Sequence, residues 1–377
     1  MHRRKTIAVI GGGSAGLTGA RVACQQGANV LFFVGDQGDH ASLCIDAGCM
    51  PSKAFFQPID EMHHARRRGW LKVEPLHPDR YLGQIVHWKD EQIAGFREYR
   101  SEQIRRLPSD SFQIINAKAS FLSDHEIVSQ GRRYQFDAAI IASGSVTTFP
   151  KIPRLDLSWD GIWTSDEILH NTQIPKSLAI IGAGPIGVEF SLRYARLGCD
   201  VTLLSRGGLV AEYPPQFGER LAAIYQREGV RVLIHRNVAH ISRAASGEFA
   251  IETEGGEKLP AIIAEKILLA TGRHPALDDL GLESLGLARN EKGGLEIGDD
   301  MRVKEHIFAA GDVAGVRMVV HHAHIEAGIA AENACSDGDR KWTRRSNIQV
   351  VFSDLRRAGD AKEVRPWSEF TGNDAAD

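Results

Sequence analysis

Cys44 and Cys49 are separated by Ile45, Asp46, Ala47 and Gly48, and Pro51, Ser52 and Lys53 lie just beyond them. Four intervening residues let a disulfide close over little more than one helical turn, provided the two Cα atoms come within about 7 Å. A strained, accessible disulfide of that kind is exchangeable rather than structural. One thiol could then attack a substrate while the other rests against an electron donor, and the Lys53 ammonium would help hold a thiolate by lowering its pKa. The competing reading is a pair of buried cysteines that never react, a common fate of free cysteine. Cys24, Cys199 and Cys335 take that second reading.

Dithiol chemistry needs a supply of electrons, and the chain has two places to hold one. Gly11, Gly13 and Gly16 fit G-x-G-x-x-G after an apolar run, Thr6 to Ile10, and before a helical stretch to Gln26 and a second apolar run, Asn29 to Val34. In such a βαβ unit the first glycine makes a tight turn, the second admits a pyrophosphate and the third lets helix approach strand. The phosphates would sit on the helix N-terminus, where free N–H groups and the helix dipole favour negative charge. The same grammar returns at Gly182, Gly184 and Gly187, between Ser177–Ile181 and a helix through Arg196, with Asp200–Leu204 after it. Two such sites in one chain suggest one cofactor passing electrons to another. The alternative is a glycine-lined packing turn at both places.

The acidic residue that would hold an adenosine ribose at the end of each second strand is missing. Val34 stands there in the first unit, with Asp36 two residues on, and Ser205 and Arg206 stand there in the second. An arginine can pair with a 2′-phosphate, so NADPH is favoured over NADH, although Arg206 could equally be a solvated surface residue.

These parts must be positioned by a chain of 377 residues, too long for one core, since single cores seldom exceed roughly 250 residues. Apolar residues make up 43% and charged residues 25%, the usage of an ordinary soluble protein, and a net charge of −3 excludes a basic nucleic-acid footprint. No segment is long and apolar enough to span a bilayer, and the apolar run after Met1–Lys5 is too short for a signal sequence. Five cysteines, an odd number, argue against a secreted disulfide scaffold and for the reducing cytoplasm. Ile93, Phe96, Ile104 and Leu107 mark one face of an amphipathic helix over Asp90–Leu107, read as packing rather than chemistry. Pro150, Pro153 and Pro175 mark the entry to a middle domain that ends near His274 and Pro275. Beyond the two glycine-turn units no repeat is visible. His321, His322 and His324 read as ordinary helix residues rather than metal ligands, and no metal is expected.

In this order the motifs resemble the pyridine nucleotide-disulfide oxidoreductases, the family of dihydrolipoamide dehydrogenase, glutathione reductase and mercuric reductase. The match runs through Gly11–Gly16, Cys44-Ile-Asp-Ala-Gly-Cys49-Met-Pro-Ser-Lys53, Ala142-Ser-Gly-Ser145, Gly182–Glu189, Ala270-Thr-Gly-Arg273 and Phe308-Ala-Ala-Gly-Asp312. The resemblance implies an α/β fold with two Rossmann-like, parallel-sheet domains. The FAD domain would span 1–147 and 274–340, the NAD(P)H domain 148–273, and 341–377 would be a remnant of a dimerisation domain whose composition admits disorder. It implies that Cys44 is the interchange thiol and Cys49 the flavin-proximal one, with Lys53 and Glu189 an ion pair beside the flavin. FAD would be held by Gly11, Gly13, Ser14, Gly16, Lys53, Ala119, Ser145, Gly311 and Asp312. The nicotinamide nucleotide would be held by Gly182, Gly184, Gly187, Ser205, Arg206 and Gly272. The partners implied are a small-molecule or protein disulfide and a second copy in a homodimer.

Two features depart from the family pattern. His40-Ala-Ser-Leu43 replaces the residues usual before the first cysteine. Asn347–Asp354 resembles the first strand of the interface domain, but Leu355–Asp377 is charged and unpatterned, and no histidine follows His324 to serve as the acid–base partner the family takes from that domain. Thiol turnover therefore competes with two other expectations: a flavin diaphorase that bypasses the cysteines, and a non-catalytic relic. A tandem cysteine pair like that of mercuric reductase is absent from the C-terminus, which disfavours mercury.

Overall fold

The computed structural model describes residues 3–36, 38, 42–67, 78–213, 215–316 and 318–342. His40, Ala41 and everything after Trp342, including the expected strand at Asn347–Asp354 and most of the expected interface remnant, lie outside the described residues. The chain divides into two units, one built within Met1–Ala54, His87–Thr148 and Arg273–Asn347, the other from Phe55–Val86 and Phe149–Gly272 together with a C-terminal portion outside the described residues.

In the first unit, six strands form one sheet in the order Arg302–Lys304, Ile307–Ala309, Ala138–Ile141, Thr6–Ile10, Asn29–Phe33, Phe112–Ile115. All neighbours are parallel except the first pair. Ile7–Ile10 and Ala138–Ile141 are buried on both faces, which is why they read as unbroken apolar runs. Helix Ser14–Gln25 meets helix Val320–Ser336 through small residues, Ala15, Ala323 and Ala327. A three-stranded antiparallel sheet over Ser120–Gln135 completes the unit.

The second unit carries a five-stranded parallel sheet in the order Arg231–Leu233, Asp200–Leu204, Ser177–Ile181, Lys266–Leu269, Ile162–Trp163. An antiparallel sheet of Asn237–Arg243, Phe249–Glu254 and Ile262–Ala264 belongs to it as well. The sequence reading placed the whole stretch before residue 148 in the first domain, yet Phe55–Val86 groups with the second unit. The reason is apolar: Phe55, Phe56, Ile59, Leu82 and Ile85 bury against Phe190, Tyr194 and Leu197. Each such aromatic or aliphatic side chain contributes about 1.5–3 kcal/mol by leaving water.

Candidate active site

The cysteines meet because a one-turn helix folds back on the head of a long one. Helix Leu43–Asp46 ends, Ala47 and Gly48 reverse the chain, and Cys49 opens helix Cys49–Arg67. A β-carbon on Gly48 would lie 2.7 Å from the Leu43 carbonyl oxygen and 3.2 Å from the Cys44 Cα. Any larger residue must push Cys44 outward. Asp46 fixes the turn from the other side, accepting the Ser42 N–H at 2.6 Å and Arg97 Nε at 2.6 Å, and Ser52 Oγ donates to the Gly48 carbonyl at 2.7 Å.

Within this frame both cysteines are thiols, Cys44 half-buried and Cys49 exposed. The Cys44 thiol hydrogen-bonds the Cys49 sulfur, and the N–H groups of Cys49 and Met50 point at Cys44. The bond to Cys49, and after it burial, pushes the Cys44 thiol far above the usual range, while the two N–H groups pull the other way. Cys44 is thus held as the thiol donor of the pair. Lys53 stands four positions after Cys49 on the same helix, the spacing that shares a face. Elsewhere burial pushes Cys24 and Cys335 up to about 11 and Cys199 up to about 12, as inert thiols require.

Both glycine loops have the geometry of a phosphate cradle. Gly11 has φ +118°, and a β-carbon on it would lie 2.2 Å from the Ala142 carbonyl oxygen; one on Gly16 would lie 1.8 Å from the Gly11 carbonyl oxygen. Around Gly13, by contrast, a β-carbon meets nothing within 4 Å. Gly182, Gly187 and Gly184 repeat this pattern in the second unit at 2.1 Å from Ala270, 1.8 Å from Gly182, and open space. Gly13 and Gly184 are the N-caps of helices Ser14–Gln25 and Pro185–Arg196, and neither cap is made by a side chain. Two glycines in each motif are therefore demanded by packing, and the middle one faces space that a dinucleotide phosphate can take.

Ala142 and Ala270 open two motifs that look generic in sequence, Ala-Ser-Gly and Ala-Thr-Gly. In the structure they do the same work: each donates its N–H to the carbonyl of the last residue of the strand before the glycine turn, Ile10 or Ile181, at 2.8 Å, and closes its own carbonyl over the first glycine. The repeat is longer than the glycine turns alone, a regularity that aligning 142–144 with 270–272 would have exposed.

Asp312 is half-buried on a short 3-10 turn that begins at Gly311, whose N–H reaches Glu326 Oε2 at 2.8 Å. Ser145 Oγ donates to Asp312 Oδ2 at 2.6 Å and itself accepts Arg273 Nε at 3.0 Å. Burial raises the Asp312 carboxyl above its ordinary value, against the pull of Ser145 and the Arg273 charge. Ala119 is buried in an apolar cluster with Phe121 and Ile127, so it can offer a cofactor only its backbone. Gly272 has φ +102°. Glu189 is buried on helix Pro185–Arg196 in the second unit, whereas Lys53 belongs to the first.

The helix read as packing alone is part of the site. It runs Pro78–Arg105, and it supplies Arg97 to Asp46 and the buried Arg100 to the Gly12 carbonyl. Ile93 and Ile104 are buried as expected, but Phe96 is 40% exposed. Val34, in the place of the missing acid, is buried 3.0 Å from where a Gly12 β-carbon would be, and Asp36 is exposed. The Ser205 hydroxyl accepts the Gly207 N–H at 3.3 Å within its own turn, and Arg206 is exposed. His322 is buried on helix Val320–Ser336 beside Trp342, and burial lowers His324. Among the described residues no three His, Cys, Asp or Glu side chains gather as metal ligands, and no helix is long and apolar enough to cross a membrane.

A family model described as "Pyridine nucleotide-disulphide oxidoreductase" matches residues 5–327. A mercuric reductase of Shigella flexneri is 32% identical over 360 residues, covering 92% of this chain and 62% of its own. A dihydrolipoyl dehydrogenase of Bacillus subtilis is 30% identical over 371 residues, covering 92% and 75%. The chain therefore spans less than two thirds of the length of that mercuric reductase. Among solved structures, the HOCl-induced flavoprotein disulfide reductase RclA from Escherichia coli shares the fold with a TM-score of 0.77 at 23% identity, covering 91% of this chain and 74% of that one.

Proposed function

The chain belongs to the pyridine nucleotide-disulphide oxidoreductase family, and on that premise we propose that it passes electrons from NADPH, through FAD, to a Cys44–Cys49 disulfide and on to a disulfide substrate, small molecule or protein. The observation that carries this reading is the thiol–thiol contact at the head of helix Cys49–Arg67, in which the Cys44 thiol donates to the Cys49 sulfur and the N–H groups of Cys49 and Met50 point at Cys44.

FAD, when bound, would supply the exchange of two electrons between the nicotinamide and sulfur. On taking up two electrons and one proton, the Cys44–Cys49 bond breaks to a thiol on Cys44 and a thiolate on Cys49. Cys44 is proposed to attack the substrate disulfide. Its proton passes to the departing substrate sulfur, while the N–H groups of Cys49 and Met50 stabilise the negative charge that builds on Cys44. One substrate thiol is released from the mixed disulfide, Cys49 then attacks Cys44, and the second substrate thiol leaves as the disulfide re-forms. Each turnover consumes one NADPH and one proton and yields two substrate thiols.

The open face of Gly13 with Ser14, together with Ser145, Asp312, Gly311 and the backbone of Ala119, is proposed to hold FAD. Gly184, Gly272, Ser205 and Arg206 are proposed to hold NADPH. Lys53 is proposed to sit beside the flavin and tune its potential. Assembly as a homodimer is part of the same proposal.

Anaerobic titration of the purified protein with NADPH, followed across the visible spectrum, tests it. The expected result is a yellow protein that develops long-wavelength thiolate-to-flavin absorbance, which a Cys49→Ser variant lacks. A colourless protein that takes up no flavin would sink the proposal.

A further inference from the structure

We propose that Arg236 is a second determinant, beside Arg206, of specificity for the 2′-phosphate of the nicotinamide nucleotide; this deepens the NADPH reading above and rests on it.

In a βαβ nucleotide site the adenosine ribose lies beyond the C-terminal end of the second strand. Here that strand, Asp200–Leu204, pairs in parallel with Arg231–Leu233, with Leu204 opposite Leu233. Ser205–Arg206 and Ile234–Arg236 therefore leave the sheet side by side, and three backbone bonds tie them. Ser205 N–H donates to Leu233 at 2.9 Å, Arg236 N–H to Ser205 at 2.9 Å, and His235 N–H to Gly207 at 3.3 Å. His235 takes φ +54°, a left-handed turn that brings the Arg236 amide onto the Ser205 carbonyl.

Residues 205–210 and 233–238 contain Arg206, His235 and Arg236 and no carboxylate, and the nearest acids in the fold are Glu254, opposite Asn237, and Glu257, on the turn that holds Arg236. Exposed Arg206 makes no ion pair among the described residues. Arg236 is half-buried and held by a neutral group: its Nη1 donates to the Glu257 carbonyl, and its Nη2 lies 3.3 Å from where a Gly256 β-carbon would be. A carbonyl fixes a guanidinium without cancelling its charge, and five N–H donors leave several for a phosphate. Such pre-placement suits a dianionic 2′-phosphate and gives an unphosphorylated ribose nothing extra.

Calorimetric titration of the flavin-loaded protein with NADP⁺ and with NAD⁺ tests this, using wild type, Arg206→Ala, Arg236→Ala and Arg236→Lys. Losing a charge-assisted bond should weaken NADP⁺ by ~10-fold or more in Arg236→Ala while NAD⁺ changes by less than ~2-fold. Arg236→Lys should recover most of the loss. Equal weakening of both nucleotides would show Arg236 to be only a clamp for the loop at Gly256–Glu257 and would overturn the proposal. An unchanged NADP⁺ affinity in Arg236→Ala, with preference lost in Arg206→Ala, would overturn it too while leaving the NADPH reading intact. A wild type that binds the two nucleotides equally would overturn that reading and this one together.

Discussion

The Ala270 carbonyl oxygen stands 2.1 Å from the point a β-carbon on Gly182 would occupy, so a backbone atom of one motif dictates the residue type in another. Backbone cannot swing aside as a flexible side chain can, and Gly182 also has φ +113°, a conformation unfavourable to any L residue. Gly182→Ala should therefore destabilise by on the order of 3–5 kcal/mol. Gly184→Ala enters open space at φ −74° and should change stability by less than about 0.5 kcal/mol while weakening nucleotide binding. Denaturant unfolding without nucleotide, paired with nucleotide titration, separates the two; equal unfolding midpoints for both variants would refute the division of labour.

Gly48 has the corresponding role for the dithiol. With a Gly48→Ala β-carbon set against Leu43 O and Cys44 Cα, Cys44 must retreat from Cys49. The disulfide should then form with at least ~10-fold lower equilibrium constant against glutathione, equivalent to a potential about 30 mV more oxidising for a two-electron couple. Redox titration in glutathione buffers with thiol trapping measures it, and an unchanged midpoint would show that the turn tolerates a side chain.

Much of this was legible in residue order. Local rules placed the strands and helices of both βαβ units to within a residue or so, because buried parallel strands and glycine turns are set by neighbouring residues. Long-range packing was not legible. Nothing near Arg97 or Arg100 says that these two, on a helix otherwise patterned for packing, reach Asp46 and Gly12. Nor does Phe55 announce that its partners are Phe190 and Tyr194, more than a hundred residues away. Ala142 and Ala270 fall between: each is unremarkable alone, and only their common relation to a glycine gives them meaning.

Asp312 carries a penalty visible in pH. Burial raises its folded pKa above the ordinary carboxylate value of about 3.8, so ionisation is disfavoured by folding. Its contribution is favourable below the unfolded pKa and is lost as pH rises through the folded one, the reverse of a salt-bridged carboxylate. Flavin-free Asp312→Asn, which can still accept the Ser145 hydroxyl, should melt at a higher temperature than wild type at pH 7, with the gain vanishing below about pH 3.8. The same variant should lose flavin affinity if Asp312 holds the cofactor. Calorimetric melting from pH 3.5 to 7 checks the first part; a wild type more stable than Asp312→Asn at pH 7 would reverse the sign of the argument.

Alkylation should read out the proton distribution in the cysteine pair. At pH 8 a thiol with pKa about 11 is about one part in a thousand thiolate, so Cys24 and Cys335 should react slowly, and Cys199, at about 12, more slowly still. In reduced protein, iodoacetamide should modify exposed Cys49 first. Cys44 is held protonated chiefly by its bond to Cys49. Removing that partner in Cys49→Ala takes away the largest cause of its raised pKa, while the N–H groups of Cys49 and Met50, which belong to the backbone, can remain. Cys44 in the variant should therefore be labelled faster than Cys44 in wild type at early times, as peptide mass spectrometry of timed quenches would show. Slower labelling of Cys44 in Cys49→Ala would mean that burial, not the neighbouring sulfur, governs its proton.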